Sequence, residues 1–231
     1  PMHYNLFTLP THLEPIAGEN TWLDRGFDLV DNLLSARTNI SAIYIRGALK
    51  NNPEKAIESL KEKKAHISLS AGNTGALLVI SRLLLNTIDG INKPALAALW
   101  PNKNNMNVVL DLGANVECNE KNLSDFACMG SALFKSLFSN DLPRIALLNI
   151  GLEENKGNEI LKKTYSILKK EKIKNFEFCG YIEGNHIMDG NIDVIVTDGF
   201  TGNVALKTAE GTANFITKNL KNSLNKLSLL L

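Results

Sequence analysis

Short apolar runs alternate with longer amphipathic segments along most of the chain. The runs at 108–110, 145–148 and 192–196 are rich in Val, Ile and Leu, as buried strands are. Residues 123–138 and 159–170 carry apolar side chains at helical spacing. This alternation of strand and helix is typical of βαβ units and predicts an α/β fold with a mostly parallel sheet.

The same patterns predict the remaining elements more briefly. Pro53 in a first turn favours a helix over 52–64. Residues 1–45 give no clear period, and residues 212–231 carry apolar residues at helical spacing with lysines between them. The full set of predicted strands is 4–7, 67–69, 94–101, 107–110, 144–149, 176–179 and 192–196, and the further helices are 76–85 and 204–210.

Glycine-bearing polar loops follow four of the predicted strands. They span residues 70–75, 111–115, 149–157 and 198–203, and residues 200–203 are predicted to form a tight turn before a helix. Ligands of open α/β sheets bind where the carboxyl ends of parallel strands meet, and unpaired N–H groups at a helix start suit phosphate. Any one loop is equally well a simple turn, but the four together favour one shared anion site.

Several side chains in these loops are candidates for chemistry. Ser70, Asn73 and Thr74 are hydrogen-bond donors directly before a predicted helix, although the pattern is neither a Walker loop nor GxGxxG. Lys156 lies beside a glycine at a strand end. Glu153 and Glu154 next to it fit a general acid–base pair and the first turn of a helix equally well.

Composition narrows the function classes. The chain has 231 residues, 44% of them hydrophobic, and a net charge of +1, which argues against a general nucleic-acid-binding surface. The three cysteines lack CxxC spacing and the four histidines lack metal-ligand spacing, so neither a disulfide framework nor a metal site is predicted. Cysteine usage of this kind fits a reducing cytoplasm. The lysines at 162–174 are either a solvated face or a surface for an acidic partner.

Five motifs, in this order along the chain, resemble the bacterial phosphate acyltransferase family. The similarity is continuous from about residue 56 to residue 211 and loose before residue 46. Each motif is weak alone, whereas the set is specific. The motifs are residues 70–77 (SAGNTGAL), 111–115 (DLGAN), 149–157 (NIGLEENKG), 180–184 (GYIEG) and 198–207 (DGFTGNVALK).

The resemblance implies a fold and an activity. The expected fold is a three-layer α/β/α arrangement akin to phosphotransacetylases and the isocitrate dehydrogenase group. The expected reaction moves a fatty acyl group from acyl carrier protein to inorganic phosphate, giving acyl phosphate for phospholipid synthesis, with no cofactor or metal. The resemblance further implies a cytoplasmic homodimer that contacts the inner face of the membrane peripherally through residues 212–231.

Residue roles follow from the same resemblance and from the loop chemistry. Lys156 is expected to stabilise the oxyanion or the leaving thiolate, with Asn73 and Lys207 as the other catalytic candidates. Asp111, Asn115 and Asp198 are expected to shape their loops. The predicted phosphate ligands are Ser70, Gly72, Thr74, Gly75, Asn115, Gly202 and Asn203.

The extent of the domain and two other functions complete the expectations. The family's Asp-Ala-Met-Gly-Gly-Asp-His signature is not found in the sequence. The chain is therefore predicted to be one α/β domain over 1–231 that is incomplete at both ends, with a poorly matching leader over 1–45 and a cut-off amphipathic helix over 212–231. A short-chain phosphotransacetylase using acetyl-CoA and an inactive fragment that only binds a partner are the alternatives. A dehydrogenase is less favoured because GxGxxG is missing.

Overall fold

The computed structural model describes residues 5–8, 53–64, 67–70, 74–138, 142–170 and 175–228. The chain divides into two compact units, residues 1–92 and 93–231. The predicted single domain over 1–231 stays a prediction. Of the predicted leader, only residues 5–8 are described, and the helix start expected near His12 lies outside the described residues.

Within the residues that the structure describes, the first unit holds a short parallel strand pair and two helices. Strand β1 (Asn5–Thr8) pairs with β2 (Ile67–Ser70), so that Asn5 is level with Ile67. Helices α1 (Pro53–Lys61) and α2 (Thr74–Leu84) form a small apolar cluster of their own. Ile57, Leu60 and Leu77 are its fully buried members.

The second unit is built on a five-stranded sheet. Its order is β3 (Ala97–Pro101), β4 (Met106–Leu110), β7 (Val194–Val196), β5 (Arg144–Asn149) and β6 (Glu177–Glu183). Only β3 is antiparallel to its neighbour, which confirms the mostly parallel sheet. The helices of this unit are α3 (Glu120–Phe138), α4 (Glu159–Lys170) and α5 (Gly199–Ser228), with a 3₁₀ helix at Gly184–Asp189.

Alternating side chains of the central strands supply two cores. Successive residues of a strand point to opposite faces of a sheet, so each strand serves both cores. One face packs against Phe126 and Phe134 of α3 and Leu168 of α4; the other packs against Ile187 and the start of α5. This unit therefore has the predicted three layers. The first face carries Val108, Leu110, Ile145, Leu147, Val194 and Val196, and the second carries Val109, Ala146, Leu148 and Ile195.

An ion pair at the amino ends of the strands fixes the register of β5 against β7. Arg144 Nε and Nη2 donate to the two oxygens of the Asp193 carboxylate at 3.0 and 2.9 Å. The Arg144 N–H donates to the same carboxylate, and the Asp193 N–H donates to Arg144 O. Asp193 therefore belongs to this clamp rather than to the predicted strand over 192–196. The clamp sets the register of Ile145 beside Val194.

Several predicted boundaries differ from the structure, among them the start of β3, which is Ala97 and not residue 94. Two further differences concern the elements next to the polar loops. Strand β6 does not stop at Cys179 but runs on to Glu183, because Gly180 takes up a positive φ of 87° at an irregularity in its pairing with β5. Residues 200–203 are not a tight turn but the first turn of α5, which begins at Gly199 rather than at 204. The helix starts early because Asp198 caps it.

Candidate active site at the carboxyl edge of the sheet

Three of the glycine-bearing loops lie side by side. Strands β4, β7 and β5 are parallel neighbours, so the segments after Leu110, Val196 and Asn149 leave the same edge of the sheet. Adjacent strands lie about 4.8 Å apart, which places the three strand ends within about 10 Å of one another. The predicted meeting of these three loops is confirmed. The fourth loop belongs to the first unit, and its Gly72 and Asn73 lie outside the described residues.

Asp111 organises the loop after β4. Its side chain is fully buried and accepts five hydrogen bonds of 2.7–3.1 Å. Oδ1 accepts from the N–H groups of Leu96, Gly113 and Ala114, and Oδ2 accepts from both nitrogens of Asn115. This set of donors offsets the cost of taking a carboxylate out of water.

Asn115 ties that loop to the start of α5. Its Nδ2 donates to Pro94 O and to Asp111 Oδ2, both at 2.7 Å, so neither amide hydrogen is left for a phosphate. Its carbonyl accepts the Gly199 N–H at 2.8 Å. The geometry gives Asn115 the loop-shaping role expected for it, and its contact with phosphate stays a prediction.

The N-terminus of α5 is already occupied by protein acceptors. The Gly199 N–H donates to Asn115 O, the Thr201 N–H to Asp198 Oδ1 at 2.8 Å, and the Gly202 N–H to Asp198 O at 2.9 Å. The Asp198 carboxylate also accepts the Thr201 hydroxyl. The unpaired N–H groups expected here are thus mostly used, and a ligand at this point has to be held by side chains.

Two glycines let the loops interlock. A Cβ on Gly202 would lie 1.9 Å from Asp111 O, and one on Gly113 would lie 2.7 Å from Asn203 Nδ2. Gly113 also has a φ of 129°, which side-chain-bearing residues rarely adopt. Asn203 Nδ2 donates to Leu112 O at 3.3 Å. Asn203 therefore lies directly over the loop after β4, as a shared site requires.

The two candidate lysines differ in their partners. Lys207 lies one helical turn after Asn203 and forms an ion pair with Glu210 at 2.8 Å, which a phosphate would have to displace. Lys156 lies in the loop after β5 and is exposed. Among the residues that the structure describes, no carboxylate lies within ion-pair distance of its ammonium group. Lys156 is therefore the cation better placed to meet an anion.

The remaining predicted ligands lie in the first unit. Ser70 is the last residue of β2, Thr74 is the first residue of α2, and Gly75 follows it in an exposed position. The predicted helix after this loop is present, but it begins at Thr74 rather than at residue 76 and has 11 residues. The assignments of Ser70, Thr74 and Gly75 to phosphate stay predictions.

Asn149 is a functional candidate that the sequence patterns did not single out. It is the last residue of β5, its side chain is buried, and Nδ2 donates to Lys156 O at 3.2 Å. Its Oδ1 has no hydrogen-bond partner within the described part of the chain. Gly157 passes so close that a Cβ there would lie 2.5 Å from this oxygen. The available signal was a polar residue closing an otherwise apolar strand, IALLN.

Glu154 holds the loop after β5 against α4. Its carboxylate accepts hydrogen bonds from Tyr165 Oη at 2.9 Å and from Lys169 Nζ. The Lys169 ammonium, followed by the Tyr165 hydroxyl, lowers the pKa of Glu154. Because α4 begins only at Glu159, Glu154 is not in a helical first turn. A carboxylate kept ionised in this way is also poorly suited to deliver a proton, which argues against the acid–base interpretation.

Replacing Lys169 with alanine should raise the pKa of Glu154 towards its unfolded value of about 4.3. The folded-state pKa is lowered, so the interaction with Lys169 is complete above the unfolded value and is lost as the pH falls through the folded one. NMR titration of the Glu154 carboxyl carbon measures this change. Lys163→Ala on the same helix is the control and should leave the midpoint in place. An unchanged titration midpoint of Glu154 in Lys169→Ala would contradict the pairing of these two residues.

The described ranges also bear on metal binding and on membrane spans. No group of three or more His, Cys, Asp or Glu side chains there is arranged to hold a metal ion. Within the same ranges, every helix is too short or too polar to span a bilayer.

The fold is similar to that of a solved protein. It resembles a phosphotransacetylase from Staphylococcus aureus with a TM-score of 0.53 at 15% identity, over 81% of this chain and 64% of that one. At this identity the likeness shows the α/β fold alone.

The chain belongs to the fatty acid synthesis protein family, whose model matches residues 43–231. It is 64% identical over 181 residues to a phosphate acyltransferase from Pelagibacter ubique (strain HTCC1062), covering 76% of this chain and 54% of that protein. It is 42% identical over 184 residues to a phosphate acyltransferase from Sinorhizobium fredii (strain NBRC 101917 / NGR234), covering 80% of this chain and 53% of that protein. The chain thus spans about half the length of these curated relatives. These matches confirm the family that the five motifs predicted.

Proposed function

We propose that the protein transfers a fatty acyl group from acyl carrier protein to inorganic phosphate and so makes acyl phosphate for phospholipid synthesis. Its relatives named phosphate acyltransferases support this. The structural observation that carries the proposal is the meeting of three polar loops at one end of the sheet, with the exposed ammonium group of Lys156 in one of them.

The chemistry asks for positioning and charge stabilisation. A phosphate oxygen attacks the thioester carbonyl carbon, so a C–O bond forms while the C–S bond breaks and the carrier leaves as a thiolate. Negative charge passes through the carbonyl oxygen to the sulfur. A cation held near both atoms stabilises the transition state more than the ground state. No covalent nucleophile on the protein is needed, because phosphate itself attacks, and the reaction calls for no cofactor.

Lys156 is assigned the role of stabilising the oxyanion or the leaving thiolate. Its backbone is held by two hydrogen bonds, from its N–H to Glu153 O and from Asn149 Nδ2 to its carbonyl. The loop is held a third time through Glu154. Such support limits the freedom of the loop that carries the cation, and a fixed cation is the more effective one. Asn73 and Lys207 are the other proposed catalytic residues.

Phosphate is assigned to residues of the polar loops and of the first turns of α5. Asn203 and Lys207 lie four residues apart on α5 and therefore point to the same side of it. Both side chains would contact phosphate oxygens. The full proposed set is Ser70, Gly72, Thr74, Gly75, Asn115, Gly202 and Asn203.

The proposal also includes partners and location. The acidic carrier protein would dock on the lysines of α4, such as Lys162 and Lys163. We propose a cytoplasmic homodimer with peripheral membrane contact through residues 212–231. In support, Phe215, Ile216, Leu220 and Leu224 are all exposed. Sedimentation velocity measures the dimer, and flotation with vesicles measures the membrane contact; a monomer that stays off the vesicles would refute both.

Lys156→Ala should lower the rate of acyl phosphate formation about 100-fold, the usual effect of removing one group that stabilises an oxyanion. Asn73→Ala and Lys207→Ala should also lower it. The assay follows hydroxamate formation from acyl phosphate, in this protein and at the matching positions of the Pelagibacter ubique relative.

The control for these substitutions is Lys103→Ala. Lys103 is an exposed lysine in the turn between β3 and β4 and pairs with Asp189. This pair lies at the amino ends of the parallel strands, opposite the candidate site. This variant should keep the wild-type rate. Wild-type rates in all three site variants would refute the assignment of these residues.

A further inference from the structure

Large apolar side chains stand exposed beside the polar loops. Val116, Phe200 and Val204 are 68%, 64% and 52% exposed. Single exposed apolar residues are ordinary, but a cluster of them next to a candidate site usually marks a binding surface. We call these three residues the apolar rim.

The apolar rim is continuous across two chain segments. The Gly199 N–H donates to Asn115 O at 2.8 Å, and a Cβ on Gly199 would lie 2.5 Å from the same oxygen. Val116 directly follows Asn115, and Phe200 directly follows Gly199. Val204 lies four residues after Phe200 on α5, and therefore on the same side of the helix. The three side chains thus belong to one surface.

The neighbouring strand extends this apolar character. Ile150 and Leu152 follow β5 and are 80% and 58% exposed. Strand β5 is next to β7, whose loop leads into Phe200. All three central strands therefore end in a polar loop that also presents an exposed apolar side chain. A phosphate site alone gives no reason for that pairing, because phosphate gains nothing from apolar contacts.

We propose that the apolar rim binds the fatty acyl chain of the thioester and makes the site selective for long over short acyl groups. This rests on the proposed function. The rim and the polar groups are carried by the same two segments, 111–116 and 198–204. A thioester carbonyl aimed at the polar groups would therefore lay the methylenes next to it over Val116, Phe200 and Val204.

The size of the effect follows from methylene burial. Each methylene removed from water strengthens binding roughly fourfold. A rim of three side chains that covers about three methylenes would favour a long chain by about 60-fold over an acyl group too short to reach it. An acetyl group ends before the rim and would gain almost none of this. The rim therefore distinguishes a fatty acyl transferase from a short-chain phosphotransacetylase with the same fold.

The test is a comparison of two chain lengths in one variant. The triple variant Val116→Ser, Phe200→Ser and Val204→Ser is assayed with palmitoyl- and acetyl-pantetheine and inorganic phosphate. Its kcat/KM for palmitoyl should fall at least about 10-fold, and its kcat/KM for acetyl should stay within about twofold of wild type. The single variants Phe200→Ser and Val204→Ser, each with a palmitoyl-specific fall of about threefold, replace the triple variant if it does not fold.

Met188→Ser is the matched control. Met188 is 48% exposed and its carbonyl accepts the Lys103 N–H, which places it at the other edge of the sheet. This variant should keep the wild-type ratio of the two substrates. Any selectivity change equal to that of the rim variants would show that general surface polarity, and not the rim, sets the ratio.

Other results overturn the inference in distinct ways. An unchanged palmitoyl rate refutes the rim while leaving the proposed function standing. An equal fall for both chain lengths, with a change of oligomeric state in sedimentation velocity, would mean that a second copy covers the rim. Lost binding to phosphatidylglycerol vesicles with unchanged selectivity would mean that a membrane covers it. No turnover of either thioester by the wild-type protein would refute the proposed function itself.

Discussion

Replacing Asp111 with alanine is expected to lower the free energy of unfolding by about 3–5 kcal/mol. The substitution removes the only acceptor among the described residues for the N–H groups of Leu96, Gly113 and Ala114, at a position that is fully buried. The buried Asn115 N–H also loses its acceptor, and a buried donor in that position keeps its desolvation cost and gains nothing in return. Since a domain of ordinary stability has about 5–15 kcal/mol in total, this change should consume much of it.

Urea denaturation measures this difference directly. Asp125→Ala is the control, because Asp125 forms an exposed pair with Lys121 along one helix and should contribute about 0.5 kcal/mol or less. Asp111→Asn should be intermediate in its effect, since an amide keeps one acceptor oxygen but turns a nitrogen towards backbone donors. Equal stabilities of Asp111→Ala and Asp125→Ala would contradict the organising role of Asp111.

Gly202→Ala is expected to cost about 3 kcal/mol and to displace the start of α5. The added Cβ would lie 1.9 Å from Asp111 O and 2.8 Å from Thr197 Cγ2, and the closer of these is backbone that cannot rotate away. The helix must therefore move off the loop after β4. That movement carries Asn203 away from Leu112 O, so the proposed acyl transfer should fall together with stability.

The same helix provides the matched control. Gly211 also lies within α5, but a Cβ there would meet nothing within 4 Å. Gly211→Ala should therefore stabilise the protein by about 1 kcal/mol, the difference in helix propensity between the two residues. Thermal unfolding of the two variants should shift in opposite directions. A loss of stability in both, or in neither, would mean that the close approach at Gly202 is not what sets its identity.

The meeting of the three loops was predictable from the sequence, because it depends only on the hydrophobic pattern of the strands and on their parallel pairing. The runs around Val109, Ala146 and Ile195 have the short, β-branched or aliphatic character of strands buried on both faces, and all three are central strands. Predicting that their loops meet required only that these strands be neighbours. The family resemblance then fixed the class of protein independently of any side-chain geometry.

The start of α5 was mispredicted for a definite reason. Glycine is used both where φ is positive and where another backbone passes close by, and a sequence does not distinguish the two uses. Gly199 and Gly202 are of the second kind, since both face the loop after β4. Because both glycines were interpreted as turn residues, the start of α5, which Asp198 caps, was not predicted.

The candidate site was only partly visible in the sequence for a similar reason. A lysine three residues before a glutamate, as at Lys207 and Glu210, predicts an ion pair within a helix once the helix is recognised. The Asn115 amide is occupied through a contact with Pro94, which is distant in sequence, and the Asn149 oxygen is buried by the way the following loop folds back at Gly157. Such contacts follow from the packing of the loops and from no local pattern.

The most direct measurement of the central claim is the transfer of labelled phosphate. Purified protein is given palmitoyl-acyl carrier protein and ³²P-labelled inorganic phosphate, and labelled acyl phosphate and free carrier thiol are both counted. Equal amounts of the two products are predicted, with almost none of either from the Lys156→Ala variant. Release of carrier thiol without labelled acyl phosphate would mean hydrolysis by water, and would contradict an edge of the sheet built to hold phosphate against a fatty thioester.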